Sequence, residues 1–204
     1  MTSEPVRDPV TDRLLTPRNS VLVVIDYQPS QLQAMSSMDR ELLIDNVVSV
    51  ARLARTFDLP VVLSTVNVAT GQGHTLAELK AALPDAVEID RTTMNAWEDV
   101  EFRRAIEATG RRKLIMTALW TEICLAFPTL DALREGFEVY PVVDAVGGTS
   151  LEAHRAGLER IVQAGAQPIS WVGLAGELQR DWARVDTVGE IVDIVLTTRL
   201  LATG

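Results

Sequence analysis

Lys113-Leu-Ile-Met-Thr-Ala-Leu-Trp-Thr-Glu-Ile-Cys124-Leu-Ala-Phe-Pro128 starts as an apolar run of strand character, breaks at a short polar turn and re-enters an apolar segment carrying the chain's one cysteine. A strand that hands over to a helix in so few residues is the unit of a parallel α/β sheet. A cysteine in the first turn of that helix would face unpaired backbone N–H groups and the positive end of the helix dipole, both of which favour thiolate. The alternative for Cys124 is a small buried hydrophobe, the common fate of a free cysteine.

The same alternation repeats on both sides. Ser20-Val-Leu-Val-Val-Ile25 is continuous enough for a strand covered on both faces, and it ends in Asp26-Tyr-Gln-Pro29. Asp39 is a natural N-cap for a helix whose Leu43, Val47, Val50, Ala51 and Ala54 recur at helical spacing. A second strand follows at 60–66, a glycine-containing loop at 67–74, a short helix capped by Thr75, and a brief third strand at 87–90. Asp99 opens the next helix and Gly110 closes it. Beyond Cys124 the helix runs to Glu135 and Gly136, with Pro128 set to kink it or displace its first turn. Strand 137–143, helix 150–164, a sixth strand at 167–172 and helices at 174–183 and 187–201 complete the pattern.

Right-handed crossovers then predict a three-layer α/β/α fold with a six-stranded parallel sheet in the order 3-2-1-4-5-6. In that order strands 1 and 4 are neighbours at the switch point, where ligands bind. Asp26 and Cys124, far apart in sequence, are thereby delivered to one crevice. Arg91, after the third strand, points to the same place.

Composition narrows the function. The chain has 204 residues, 47% hydrophobic and 23% charged, which suits one domain, 19–204, behind an extended arm over 1–18. The longest apolar runs fall well short of the roughly 20 residues of a membrane span, and the first eighteen residues lack the apolar core of a signal peptide. One cysteine forms no internal disulfide, which fits a reducing, cytoplasmic setting. Net charge −9 argues against a nucleic-acid partner and leaves small molecules as the expected ligands. No glycine-rich turn follows the first strand, so a dinucleotide fold is disfavoured. His74 and His154 stand about 80 residues apart with no ligand partners at metal spacing. His154 reads as solvated, while His74, in the loop after the second strand, is a candidate substrate contact. Glu122 is either a first-turn acid favoured by the helix dipole or a group that polarises substrate. Trp120 stands where its ring can wall a pocket.

Val-Val-Ile-Asp26-Tyr-Gln, Asn95-Ala-Trp97, Thr121-Glu-Ile-Cys124-Leu-Ala-Phe-Pro, Phe137-Glu-Val-Tyr-Pro-Val-Val-Asp144-Ala and Gln163-Ala-Gly-Ala-Gln-Pro-Ile-Ser-Trp together resemble the isochorismatase-like cysteine hydrolases, most nearly their YcaC-like subgroup. The resemblance spans 19–182. It implies an Asp–Lys–Cys triad, with Asp26 as acid and Cys124 as nucleophile. It also implies a cis peptide at Leu119–Trp120 and an oxyanion hole built from the backbone N–H groups of Trp120 and Cys124. Gln28, Asn95 and Trp97 join His74 and Glu122 as possible substrate contacts. Arg91 stands where the family has its lysine; it keeps a cation near the thiol but stays protonated, leaving Asp26 to move every proton. The histidine cluster of the family's metal-binding nicotinamidases has no counterpart in 67–74, so neither metal nor cofactor is expected. The resulting expectation is a homo-oligomeric cysteine hydrolase of a small amide, ureide or related carbonyl compound. A catalytically weak binding scaffold and a thiol redox sensor are the alternatives.

Overall fold

Five parallel strands in the order β3-β2-β1-β4-β5 form the middle layer of the computed structural model, which describes residues 7–197. They are β1 (Ser20–Ile25), β2 (Val61–Val66), β3 (Glu88–Arg91), β4 (Lys113–Ala118) and β5 (Glu138–Pro141). β1 and β4 are buried along their whole length, which is why both read as unbroken apolar runs rather than alternating ones. They pair in register from Ser20↔Lys113 to Ile25↔Ala118, so both chains leave the sheet at the same level.

Among the described residues, eight α-helices complete the layers: α1 (Pro29–Ala34), α2 (Arg40–Thr56), α3 (Ala77–Ala82), α4 (Val100–Ala108), α5 (Ala126–Arg134), α6 (Leu151–Gln163), α7 (Trp171–Gln179) and α8 (Val185–Thr197). Leu22, Val24 and Leu63 face one core, filled from α2, α3, α7 and α8. Val21, Val23 and Ile25 face the other, filled from α4, α5 and α6. Two helix entries follow the predicted starts, with Asp39 accepting from Leu42 N–H at 2.9 Å and Asp99 from Phe102 N–H at 2.9 Å; Ser150 caps α6 in the same way, accepting from Ala153 N–H at 3.0 Å, and each cap contributes about 1 kcal/mol. Gly136, with φ of 80°, is the left-handed stop after α5.

The expected sixth strand is not formed. Residues 167–169 lie parallel to β5, with Gln167 N–H on Val139 O at 2.9 Å and Ile169 N–H on Pro141 O at 3.0 Å, but only the single bridge Val142↔Ile169 results. Val143 N–H on Ile169 O at 2.9 Å is the last rung, and Ser170 caps α7 by accepting from Gly173, so helix begins where strand was expected to continue. The short helix before β3 likewise starts later than predicted: Leu76 is its cap residue, and Thr75 instead donates its N–H to Glu88 at 3.0 Å.

The arm, where described, is not extended. Residues 7–19 form turns fixed to the body by Leu15 N–H on Glu177 at 2.5 Å, by Arg180 on Asp12 at 3.2 Å and by a buried Leu15. The carboxy-terminal apolar run 191–196 divides its faces. Ile191 and Ile194 enter the core, and Leu196 remains exposed. The predicted end of this helix at Leu201 lies outside the described residues. Among those described, no helix is long and apolar enough to cross a membrane.

Candidate active site

Where β1 ends, the backbone turns through a left-handed conformation at Asp26, φ 62°. That conformation is open to aspartate more readily than to most residues. The turn is fixed by Asp26 N–H on Ser64 O at 2.9 Å and Gln28 N–H on Asp26 O at 2.8 Å. Arg91, the last residue of β3, reaches across β2 to it. Its two Nη atoms donate to Asp26 Oδ1 and Oδ2, both at 2.7 Å, and both side chains are wholly buried. This is the two-pronged charge-assisted geometry that lets an ion pair survive desolvation. Arg91 also donates to Ser64 Oγ and Thr65 O, each at 3.0 Å. Burial works against the Arg91 charge, but the hydrogen bonds and charge of Asp26 outweigh it and hold the guanidinium protonated.

Cys124 approaches the same carboxylate from β4. It lies in a π-helical turn, Thr121–Leu125, in which Leu125 N–H reaches back five residues to Trp120 O at 3.1 Å. Pro128, which cannot donate to Cys124 C=O, sits in the first turn of the α-helix that follows. This widened turn is the form taken by the predicted displacement. The Leu119–Trp120 peptide bond is cis, at the bond singled out by the family resemblance. Leu119 is buried, and the Trp120 ring is anchored by Nε1 donating to Gln31 O at 2.8 Å.

The state of the thiol reverses the sequence-based expectation. Burial, the charge of Asp26 and a hydrogen bond donated to Asp26 push the Cys124 thiol far above its ordinary range; the Trp120 N–H and Arg91 pull it down and lose. Two physical causes were invisible in the sequence. Arg91's charge is already matched by Asp26, and the cysteine is 7% exposed. Cys124 at rest is a thiol, kept protonated by burial and by the neighbouring Asp26 carboxylate.

The remaining predicted residues divide. Gln28 is buried and its amide is committed: Nε2 donates to Val66 O (3.0 Å) and Gly73 O (2.6 Å), and Oε1 accepts from Val66 N–H at 2.9 Å. It ties the turn after β1 to the end of β2 and to the loop that follows it. Asn95 caps a short 3₁₀ turn by accepting from Trp97 N–H at 3.0 Å and donates to Asp131 at 2.8 Å. Trp97 is core, edge-on to Phe137 at 5.4 Å. Glu122 binds Thr149 through N–H and hydroxyl at 3.0 and 2.6 Å. His74 is 74% exposed and pairs with Glu88 at 2.7 Å, at the opposite end of β3 from Arg91, so it does not join the triad. His154 is half-buried rather than solvated, with Nδ1 against Thr121 Oγ1 at 2.8 Å; burial lowers its pKa. Sequence reading missed Ser64 and Thr65, which hold Arg91 in place. Their only signal was two hydroxyl residues near the end of an otherwise apolar strand. Among the described residues, no group of three or more His, Cys, Asp or Glu is placed to hold a metal ion.

A family model for the isochorismatase domain matches residues 20–172. The chain belongs to the isochorismatase family. Within that family it is similar to the probable hydrolase YcaC of Escherichia coli strain K12, with 37% identity over 169 residues, 82% of this chain and 81% of the relative. A solved structure of YcaC from Pseudomonas aeruginosa is 31% identical and superposes with a TM-score of 0.83, covering 92% of this chain and 98% of that one. The Escherichia coli YcaC structure, also 31% identical, superposes with a TM-score of 0.82 over 98% and 100% of the two chains. This isochorismatase-family chain thus matches YcaC along nearly its full length, the predicted subgroup included.

Proposed function

We propose that this protein is a cysteine-dependent hydrolase of a small amide, ureide or related carbonyl compound, working through a covalent thioester-type intermediate. The observation that carries the proposal is the convergence of Asp26, Arg91 and Cys124 from three strand ends into one buried cluster. Cys124 Sγ bonds to the substrate's carbonyl carbon as its proton passes to Asp26. The oxygen that becomes anionic is received by the backbone N–H groups of Trp120 and Cys124. The C–N bond breaks as Asp26 returns the proton to the leaving nitrogen. Water, deprotonated by Asp26, then cleaves the thioester, and the proton goes back to sulfur. Arg91 keeps Asp26 in position and moves no proton.

The high thiol pKa and low exposure speak against a redox sensor, which needs an accessible thiolate. The same high pKa is the one observation favouring the second reading, a binding scaffold with weak turnover. Mass spectrometry after incubation with a panel of small primary amides and ureides separates the two. The expected result is an acyl adduct on Cys124 and ammonia release, both lost in Cys124→Ala. Ammonia release that persists in Cys124→Ala overturns the hydrolase mechanism; absence of both adduct and ammonia release favours the scaffold. We also propose a homo-oligomer. The E. coli YcaC structure is described as octameric, and Trp182 and Val185, each 75% exposed, leave apolar surface to cover. Light scattering that finds only monomer would count against it.

A further inference from the structure

The end of the sheet remote from Cys124 carries a cavity of about 300 Å³, walled by the chain ahead of β1, the turn at Gly110 and the starts of β4 and β5. Lys113 and Ala118 are the two ends of β4, so roughly 16 Å of strand separates this cavity from the triad. Five cationic side chains line it, Arg13, Arg18, Arg111, Arg112 and Lys113, against two carboxylates, Asp12 and Glu138. Both acids are occupied. Asp12 is held by Arg180 at 3.2 Å, Arg7 at 3.4 Å and the Leu14 N–H at 3.1 Å. Glu138 accepts from Tyr140 OH at 2.9 Å and faces Lys113 at 3.8 Å. Lys113 itself is tied to the carbonyls of Asp12 and Arg13 at 2.8 and 2.6 Å.

The four arginines are unmatched. Arg111 donates through Nη1 to Arg18 O, but its Nε is buried and bonds to nothing. Arg112 lies over the Phe137 ring at 4.4 Å and donates to Gly136 O at 2.8 Å. Arg13 and Arg18 are exposed. Among the described residues none of the four pairs with a carboxylate. Like charges gathered round one cavity repel each other, and in a chain of net charge −9 the gathering runs against composition. Free guanidinium forks match phosphate oxygens in pairs, and the cavity volume is at the lower end of those that hold small ligands.

We propose that this cavity binds a small polyphosphate anion, inorganic or as the diphosphate part of an organic ester, at a site separate from the triad. Isothermal titration calorimetry on the full chain, with inorganic pyrophosphate and ADP as probes at low and physiological salt, tests it. The expected result is saturable binding of one probe per chain that weakens with salt. Arg111→Gln should weaken binding about tenfold or more, and so should the pair Arg13→Ala with Arg18→Ala, whose side chains make no bonds that folding needs. Cys124→Ala should bind as the parent does. Tighter binding of ADP assigns the organic ester, and equal binding the inorganic anion. Absence of saturable binding at millimolar probe overturns the proposal. So does binding unchanged in the arginine variants, or binding lost in Cys124→Ala.

Discussion

Arginine does opposite work at the two ends of this sheet. At the carboxyl end, Arg91 is wholly buried and gives both Nη atoms to one carboxylate; at the amino end, Arg13 and Arg18 stand exposed at a cavity rim with no partner. A buried guanidinium with a two-pronged partner has become architecture, because removing either member strands a charge away from water. An exposed one without a partner holds nothing together and is free to meet a ligand. Charge matching, rather than residue type, separates the frame from the binding surface.

The sharpest break of this comparison is Arg91→Ala. It leaves Asp26 buried and uncompensated, so unfolding in urea should show a loss of about 3–5 kcal/mol. Arg91→Lys keeps the cation but loses the second charge-assisted hydrogen bond, and should lose about 1.5–3 kcal/mol. A cost below about 1 kcal/mol for Arg91→Ala would mean that the pair is not the tie described above.

Next in size is Gly157→Ala. A Cβ at Gly157 would lie 2.9 Å from Glu122 Cα and 3.0 Å from its N, backbone that cannot swing aside. The π turn carrying Cys124 must shift, at about 1–3 kcal/mol. Whatever turnover the enzyme has should fall about 100-fold, since misplacement by an ångström is enough. A variant with unchanged rate would show that the close packing of this end of the sheet does not set its chemistry.

The thiol gives a smaller, pH-dependent effect. An unfolded cysteine titrates near pH 8.5, and in the fold Cys124 is pushed far higher by burial and Asp26. The native state therefore holds the proton that the unfolded state loses, so this contribution is complete below about pH 7.5 and declines as pH rises. Between pH 7.5 and 10 the loss should be about 2 kcal/mol. Cys124→Ser should lack that component, as paired urea titrations would reveal. Iodoacetamide at neutral pH should label Cys124 more slowly than a free thiol; rapid labelling would contradict the buried, protonated state.

Strand positions, helix caps and the meeting of Asp26, Arg91 and Cys124 were legible because each depends on local pattern plus one topological rule. Apolar runs mark strands, Asp39 and Asp99 mark helix starts, and neighbouring strands 1 and 4 bring their ends together. What was not legible depended on partners remote in sequence. Nothing near Arg91 says that both its prongs belong to Asp26, and so the thiol shift was read with the wrong sign. Residues 167–169 carry strand composition, but the Ser170 cap turns the chain into helix after a single bridge. Gly157 reads as a weak helix residue until its contact with Glu122 is seen, and the arginines round the amino-end cavity are scattered over about 100 residues of sequence.

The smallest effect tests the other side of the comparison. If Arg13 and Arg18 tie nothing, replacing both with Ala should change stability by no more than about 0.5 kcal/mol. The sign should be stabilising at low salt, because two of several mutually repelling charges are gone. That gain should fade as salt rises, since exposed charges are screened within roughly 10 Å at 0.1 M, whereas the buried Arg91 pair should respond little to salt. Pyrophosphate should then raise the parent's stability, as any ligand of the native state does, and should raise that of the double variant less. Urea titrations at two salt concentrations, with and without pyrophosphate, measure all of this. A double variant that loses more than about 1 kcal/mol would make these arginines structural too, and the two ends of the sheet would no longer differ in kind.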